Sequence, residues 1–192
     1  VLLAVQVADA QTKSPEAAKK AVESAEAASK DAKKATKVAT WLKLASSYMD
    51  AYNAPAGSAW LGASKQELQL IMGNDRPVSV EEVVLGTDQL IKETYSNKEF
   101  YFSPAGQLVL INVTQPVVED ALGGALEAYK KAYEVDVKQT KVKDIAAGLG
   151  TIAQKYLDEG MNVYTFGDLA GASKYFELAA EASATAPLSK VD

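Results

Sequence analysis

The stretch YLDEGMNVYTFGDLAGASKYFELAAEASA, Tyr156 to Ala184, decides how this chain folds. Helical periodicity runs from about Lys143 to Tyr164, breaks at Gly167-Asp168, and resumes from Asp168 to Ala184 before Pro187 stops it. Two helices joined by so tight a turn must pack on each other. Gly160, Ala172 and Ala179 are small enough to let them approach, while Tyr156 and Phe176 are large enough to fill the space beside them.

The same habit extends upstream. Val118 to about Tyr133 is helical, and Val38 to Tyr52 is strongly amphipathic, with Val38, Trp41, Leu44, Ala45, Tyr48 and Tyr52 along one face. Ser14-Pro15-Glu16 is a helix start: a hydroxyl cap, proline at the first helical position, then acid near the positive end of the dipole. From there to about Lys37 the chain is rich in Ala, Lys and Glu. The stripe of Ala18, Ala21, Val22, Ala25 and Ala28 is thin, so one or two capping helices are expected there.

Residues 53–117 differ in character. Asn53-Ala54-Pro55-Ala56-Gly57-Ser58 is a loop, Ser64-x-x-Glu67 opens a short helix through about Met72, and Gly73 to Pro77 stops it. Val78 to Thr114 is enriched in Val, Ile, Thr, Tyr and Phe and loses the helical period. Glu99–Phe102 and Gln107–Val113 flank Ser103-Pro104-Ala105-Gly106, which predicts a β-hairpin with Phe100 and Phe102 on one face and Tyr101 on the other. Leu90 to Tyr95 suits a third strand through Ser96-Asn97, or a helix. The expected fold class is mainly α, with a small α+β insertion containing a β-hairpin.

Composition narrows the function. Hydrophobic residues form 48% of the 192, enough for a real core. The net charge of −5 is spread among interleaved acids and bases, with no basic block to track a phosphate backbone, so no nucleic-acid partner is expected. The absence of Cys and His removes disulfides, thiolate nucleophiles, Cys/His zinc sites and the usual neutral-pH base. A Ser-Lys or paired-carboxylate enzyme stays chemically open, but no spacing nominates one. The reading is of a non-enzymatic protein with no catalytic residue, metal ligand or cofactor assigned.

Val1 to Ala10, VLLAVQVADA, reads as the tail of a secretory signal with its cleavage site at Ala8-Asp9-Ala10. The alternative is an N-terminal strand or helix packed on the domain. The missing Met and basic start suggest a fragment of a longer chain. The run is too short to span a bilayer, and no Cys follows it to carry a lipid. An exported protein, periplasmic or secreted, without a transmembrane segment is expected.

The Tyr156–Ala179 spacing resembles the tetratricopeptide repeat, a helix pair of about 34 residues with the pattern W-x2-L-G-x2-Y, then A-x3-F, then P. Tyr156, Gly160, Val163, Gly167-Asp168, Ala172, Phe176 and Ala179 fall at its intervals, and Pro187 follows slightly late. Glu159 stands where leucine is usual, and Val163 replaces an aromatic. Trp41-x-x-Leu44-Ala45-x-x-Tyr48 matches the first helix of an earlier unit. The small residue of its second helix is due at position 57, but that helix is supplied by Ala125, Tyr129 and Ala132, as though residues 53–117 were inserted into the turn. The competing reading is a separate small α+β domain between unrelated helices. The resemblance implies a helix-turn-helix solenoid of the exported bacterial type, with the N-terminal helix or helices and the first helix of a split unit at 14–52, the second helix of that unit at 118–136, and a second unit at 143–187. Two units are fewer than the three such arrays usually need, so further C-terminal repeats or a homo-oligomer are expected.

In that family partners usually lie in a groove lined by the first helix of each pair. Carried over, this implies Leu42, Ser46 and Met49 from one unit and Leu157, Met161 and Tyr164 from the other. These carry no formal charge, so an apolar or aromatic peptide segment, or another repeat protein, suits them. The alternative is that they pack on neighbouring helices. Trp60, in a Gly/Ser/Ala-rich loop, and Tyr101 on the hairpin are candidates for a recognition surface. The plainer account is that Trp60 and the two Phe side chains fix the insertion to the helices. Glu81-Glu82, Asp75-Arg76 and Glu119-Asp120 read as solvated surface. The function expected is a scaffold or adaptor of the cell envelope that binds a protein or peptide. A carbohydrate- or small-ligand-binding module using Trp60 and Tyr101 is the alternative.

Overall fold

The computed structural model describes residues 12–190, so the expected signal remnant at 1–10 lies outside the described residues. The described residues are mostly helical, 55%, with six α-helices and one four-stranded antiparallel sheet among them. The helices are α1 (Pro15–Lys30), α2 (Val38–Asn53), α3 (Lys65–Met72), α4 (Ala121–Val135), α5 (Val142–Thr165) and α6 (Leu169–Ala184). The strands are β1 (Ser79–Leu85), β2 (Asp88–Thr94), β3 (Lys98–Phe102) and β4 (Leu108–Val113), in that spatial order. Among the described residues no helix is long and apolar enough to cross a membrane.

Local signals account for most boundaries. Ser14 Oγ accepts from the Ala17 N–H, and Ser64 and Glu67 form a reciprocal capping box at the start of α3. Gly167, at φ +83°, takes the left-handed turn between α5 and α6, and Asp168 then caps α6 by accepting from the Gly171 N–H at 2.9 Å. The N-terminal helix stops at Lys30, short of Lys37. There Asp31 Oδ1 accepts from the Lys33 and Lys34 N–H groups at 2.9 and 3.0 Å, a local turn that competes with helix.

The helices pack in series: α1 on α2, α2 on α4, α4 on α5, α5 on α6. The segment carrying α3 and the sheet is therefore interposed between two helices that pack on each other. Their core joins Leu122, Ala125, Ile145, Leu149, Ile152 and Tyr156, with Trp41, Leu42 and Met49 half-buried against it. Close approach needs missing side chains. A Cβ on Gly124 would lie 2.7 Å from the Tyr48 ring, and one on Gly160 would lie 2.5 Å from the Phe176 ring.

The expected hairpin is half of a larger sheet. Leu90–Thr94 of the Leu90–Tyr95 run, open between strand and helix from sequence, falls in β2, and Ser79–Leu85 adds a fourth strand across the short Gly86-Thr87 turn. Phe100, Phe102 and Leu108 share one face and pack beneath Leu68 of α3 with Ala63. The two Phe side chains thus close the segment's own core and do not anchor it to the helices. Leu90, Tyr101 and Leu110 form the other face. The sheet meets α5 at its β4 edge, where Asn162 Nδ2 donates to Ile111 O at 3.5 Å, and this face meets the residue just past α5 in the edge-on pair Tyr101–Phe166, 5.5 Å between centroids. So sparse a junction leaves clefts along α5.

Candidate functional site

The residues expected to bind a partner fall into separate environments. Leu42 and Met49 pack into the helical core, while Ser46 beside them is exposed. Leu157, Met161 and Tyr164 form an exposed stripe on α5. Tyr101, expected on a recognition surface, is 5% exposed, with its hydroxyl donated to Glu99 at 2.8 Å, so it is a wall of the sheet core and no stacking platform. Alternation along β3 turned it away from Phe100, but the Phe166 ring and β-sheet neighbours cover the face on which it lands.

Trp60 and Met161 come together. Both line a cleft of about 400 Å³ formed by the loop after α2, by β4 and by α5. Trp60, Leu61 and Met161 are 47%, 59% and 56% exposed, and Ile111 completes the apolar lining. Asn53, Asn162, Lys155 and Asp158 supply polar atoms around it. Past Met161 a broader depression continues along α5 to Thr165, bounded by Leu61, Leu90 and Leu110.

At the other end Tyr52 divides this cleft from a smaller one of about 190 Å³, and Tyr52, Val113 and Glu159 line both. The Tyr52 hydroxyl donates to Glu159 Oε1 at 2.5 Å. Burial, then the Glu159 charge and that hydrogen bond, push the phenol far above its ordinary pKa, so it stays a donor at any physiological pH. Lys155 lies 6.0 Å from the Tyr52 ring centroid on the side of the larger cleft and 3.7 Å from Asp158.

An open trough with apolar walls and alternating polar groups suits adhesion of an extended segment or of a ring with polar edges. Among the described residues no group of three Asp or Glu side chains is disposed to hold a metal ion. Sequence reasoning missed Asn53, Leu61, Asn162 and the Tyr52–Glu159 pair. One signal was present: Glu159 occupies a position where the repeat pattern expects leucine, and it is the residue that receives Tyr52 from a distant helix. Comparison of the chain with protein-family models, with curated proteins and with solved structures returns no match.

Proposed function

We propose that this protein is a non-enzymatic scaffold of the tetratricopeptide type that holds a segment of a partner protein in the cleft between α5 and the sheet segment. The observation that carries the binding reading is the cleft itself: three large apolar side chains, Trp60, Leu61 and Met161, stand half-exposed around one trough. Clustered exposure of this kind, rimmed by polar groups, marks interaction surfaces, whereas scattered apolar exposure does not. The repeat reading draws support from serial helix packing and from the small-against-large contacts Gly124–Tyr48 and Gly160–Phe176. An exported location follows from the reading of Val1–Ala10. N-terminal sequencing of the native protein is expected to begin at Gln11, and a start before Ala10 would refute cleavage there.

The test is capture from the envelope fraction by the full chain, comparing wild type with Met161→Glu. A charge placed in the apolar lining is expected to lower partner recovery at least about tenfold, the effect of roughly 1.4 kcal/mol. Equal recovery by the variant overturns the assignment of the cleft. A second reading, a carbohydrate or small-ligand site, is favoured by the Trp60 ring standing beside Asn53, Asp158 and Asn162 in one cleft. Tyr101 has no part in it. Tryptophan emission unchanged across a glycan panel removes that reading.

A further inference from the structure

The smaller cleft beyond Tyr52 has a chemistry of its own. Its walls are the rings of Tyr52, Tyr156 and Tyr175 and the carboxylates of Glu119, Asp120 and Glu159. We propose that this cleft binds an organic cation, an alkylammonium or guanidinium group, as carried by a Lys or Arg side chain. As to the source of that cation, the proposal rests on the binding reading above: a partner segment in the larger cleft would reach it past Tyr52.

Aromatic faces and carboxylates share one preference, for positive charge. Tyr156 and Tyr175 lie 6.3 Å apart between centroids, inclined at 37°, and both line the cleft. Among the described residues Glu159 accepts from Tyr52 and Asp120 from the Gly123 N–H, and none of the three carboxylates has a Lys or Arg at ion-pair distance. Lys155, the nearest cation to Tyr52, lines the other cleft and is held towards Asp158. The Asp120 charge is felt across the pocket. Burial first and then Asp120 push the Tyr156 phenol up to about 12.

A second observation points to a ligand independently of the acids. Tyr156 is 3% exposed and lines the cleft, yet its hydroxyl has no hydrogen-bond partner among the described residues. Among the described residues no fully enclosed side-chain oxygen is left without a partner, so this one keeps access to solvent on a residue that lines the cleft. There it offers an acceptor to an incoming N–H. A volume of about 190 Å³ admits the end of one side chain and excludes a drug-sized molecule, for which pockets of about 300–1,000 Å³ are usual.

The test is titration of the full chain, followed by the aromatic NMR signals of the tyrosines. The probes are Nα-acetyl-lysine amide, n-butylammonium and the neutral Nα-acetyl-norleucine amide. The lysine amide is expected to saturate and the norleucine amide to leave the signals unmoved. Glu159→Gln should weaken the lysine amide about tenfold, as loss of one nearby charge implies. Where that variant disturbs Tyr52, the exposed Glu119→Gln serves the same purpose with an expected loss of about threefold. A lysine amide that outbinds n-butylammonium marks a partner side chain as the source. The reverse marks a free amine, and either result supports the pocket. Equal binding of lysine and norleucine amides, or no saturation by any cation, overturns it. If the pocket is silent while Met161-dependent capture persists, only this inference fails. If the amine binds while capture ignores Met161→Glu, only the larger cleft's reading fails.

Discussion

Among the fully buried positions of the helical layer are Ala45, Ala125, Ala132 and Ala182, set around Ile145, Leu149 and Ile152, whereas the sheet segment buries Phe100, Phe102 and Leu108. The helices gain their packing by approaching until backbone and ring touch, as Gly124 does with Tyr48 and Gly160 with Phe176. The sheet gains its packing from bulk, with three large side chains under one short helix. The first region should therefore suffer most when atoms are added, and the second when atoms are removed. Clefts arise where the two regions meet, because neither mode of packing closes that junction.

The largest expected effect is Phe100→Ala. Removing a side chain with no exposure costs about 3–5 kcal/mol. In urea the aromatic NMR signals of Tyr95 and Tyr101, the two tyrosines of the sheet segment, should reach their unfolded positions before the helical far-ultraviolet signal is lost. Coincident transitions would break the division into two regions. Next comes Gly148→Ala, whose added methyl would meet the Tyr129 ring between α4 and α5. Overpacking costs about 1–3 kcal/mol against about 1 kcal/mol gained in helix propensity, so net destabilisation is expected. A more stable variant would show that this interface is loosely packed.

A smaller effect separates the regions by pH. Burial would raise the Glu99 pKa, but hydrogen bonds from Asn112 and Tyr101 and the Lys92 charge outweigh it and hold the carboxyl below its usual range. A carboxylate depressed on folding stabilises fully above its unfolded value, about 4.3, and that contribution fades as pH falls through the folded value. The sheet is thus expected to weaken in acid, and Glu99→Gln to flatten that dependence. An equal acid loss in the variant assigns it elsewhere. The smallest effect on stability is Trp60→Ala, within about 0.5 kcal/mol for an exposed loop residue. A larger cost would mean that the ring braces the junction and is not free to bind.

Much of the helical structure was legible because its signals are local. Ser14-Pro15, the Ser64–Glu67 box and Gly167-Asp168 each act within a few residues of themselves, and the structure has helix boundaries at all three. The sheet was half legible. The Ser103–Gly106 turn announced β3 and β4, but β1 exposes Val80 and Val84 and carries Glu81-Glu82, so its pattern says little without β2 beside it. Of the residues expected to bind, Trp60 and Met161 meet in one cleft, while Leu42, Met49 and Tyr101 turn inward.

By itself the sequence determined where the helices begin and turn and which positions had to stay small, because capping, backbone conformation and periodicity are properties of neighbouring residues. Only the tertiary structure decided that Tyr52 reaches Glu159, that Glu119-Asp120 faces Tyr156, and that Tyr101 is covered by Phe166. Those meetings join residues far apart along the chain, and a side chain's local pattern does not encode what a distant helix brings to it.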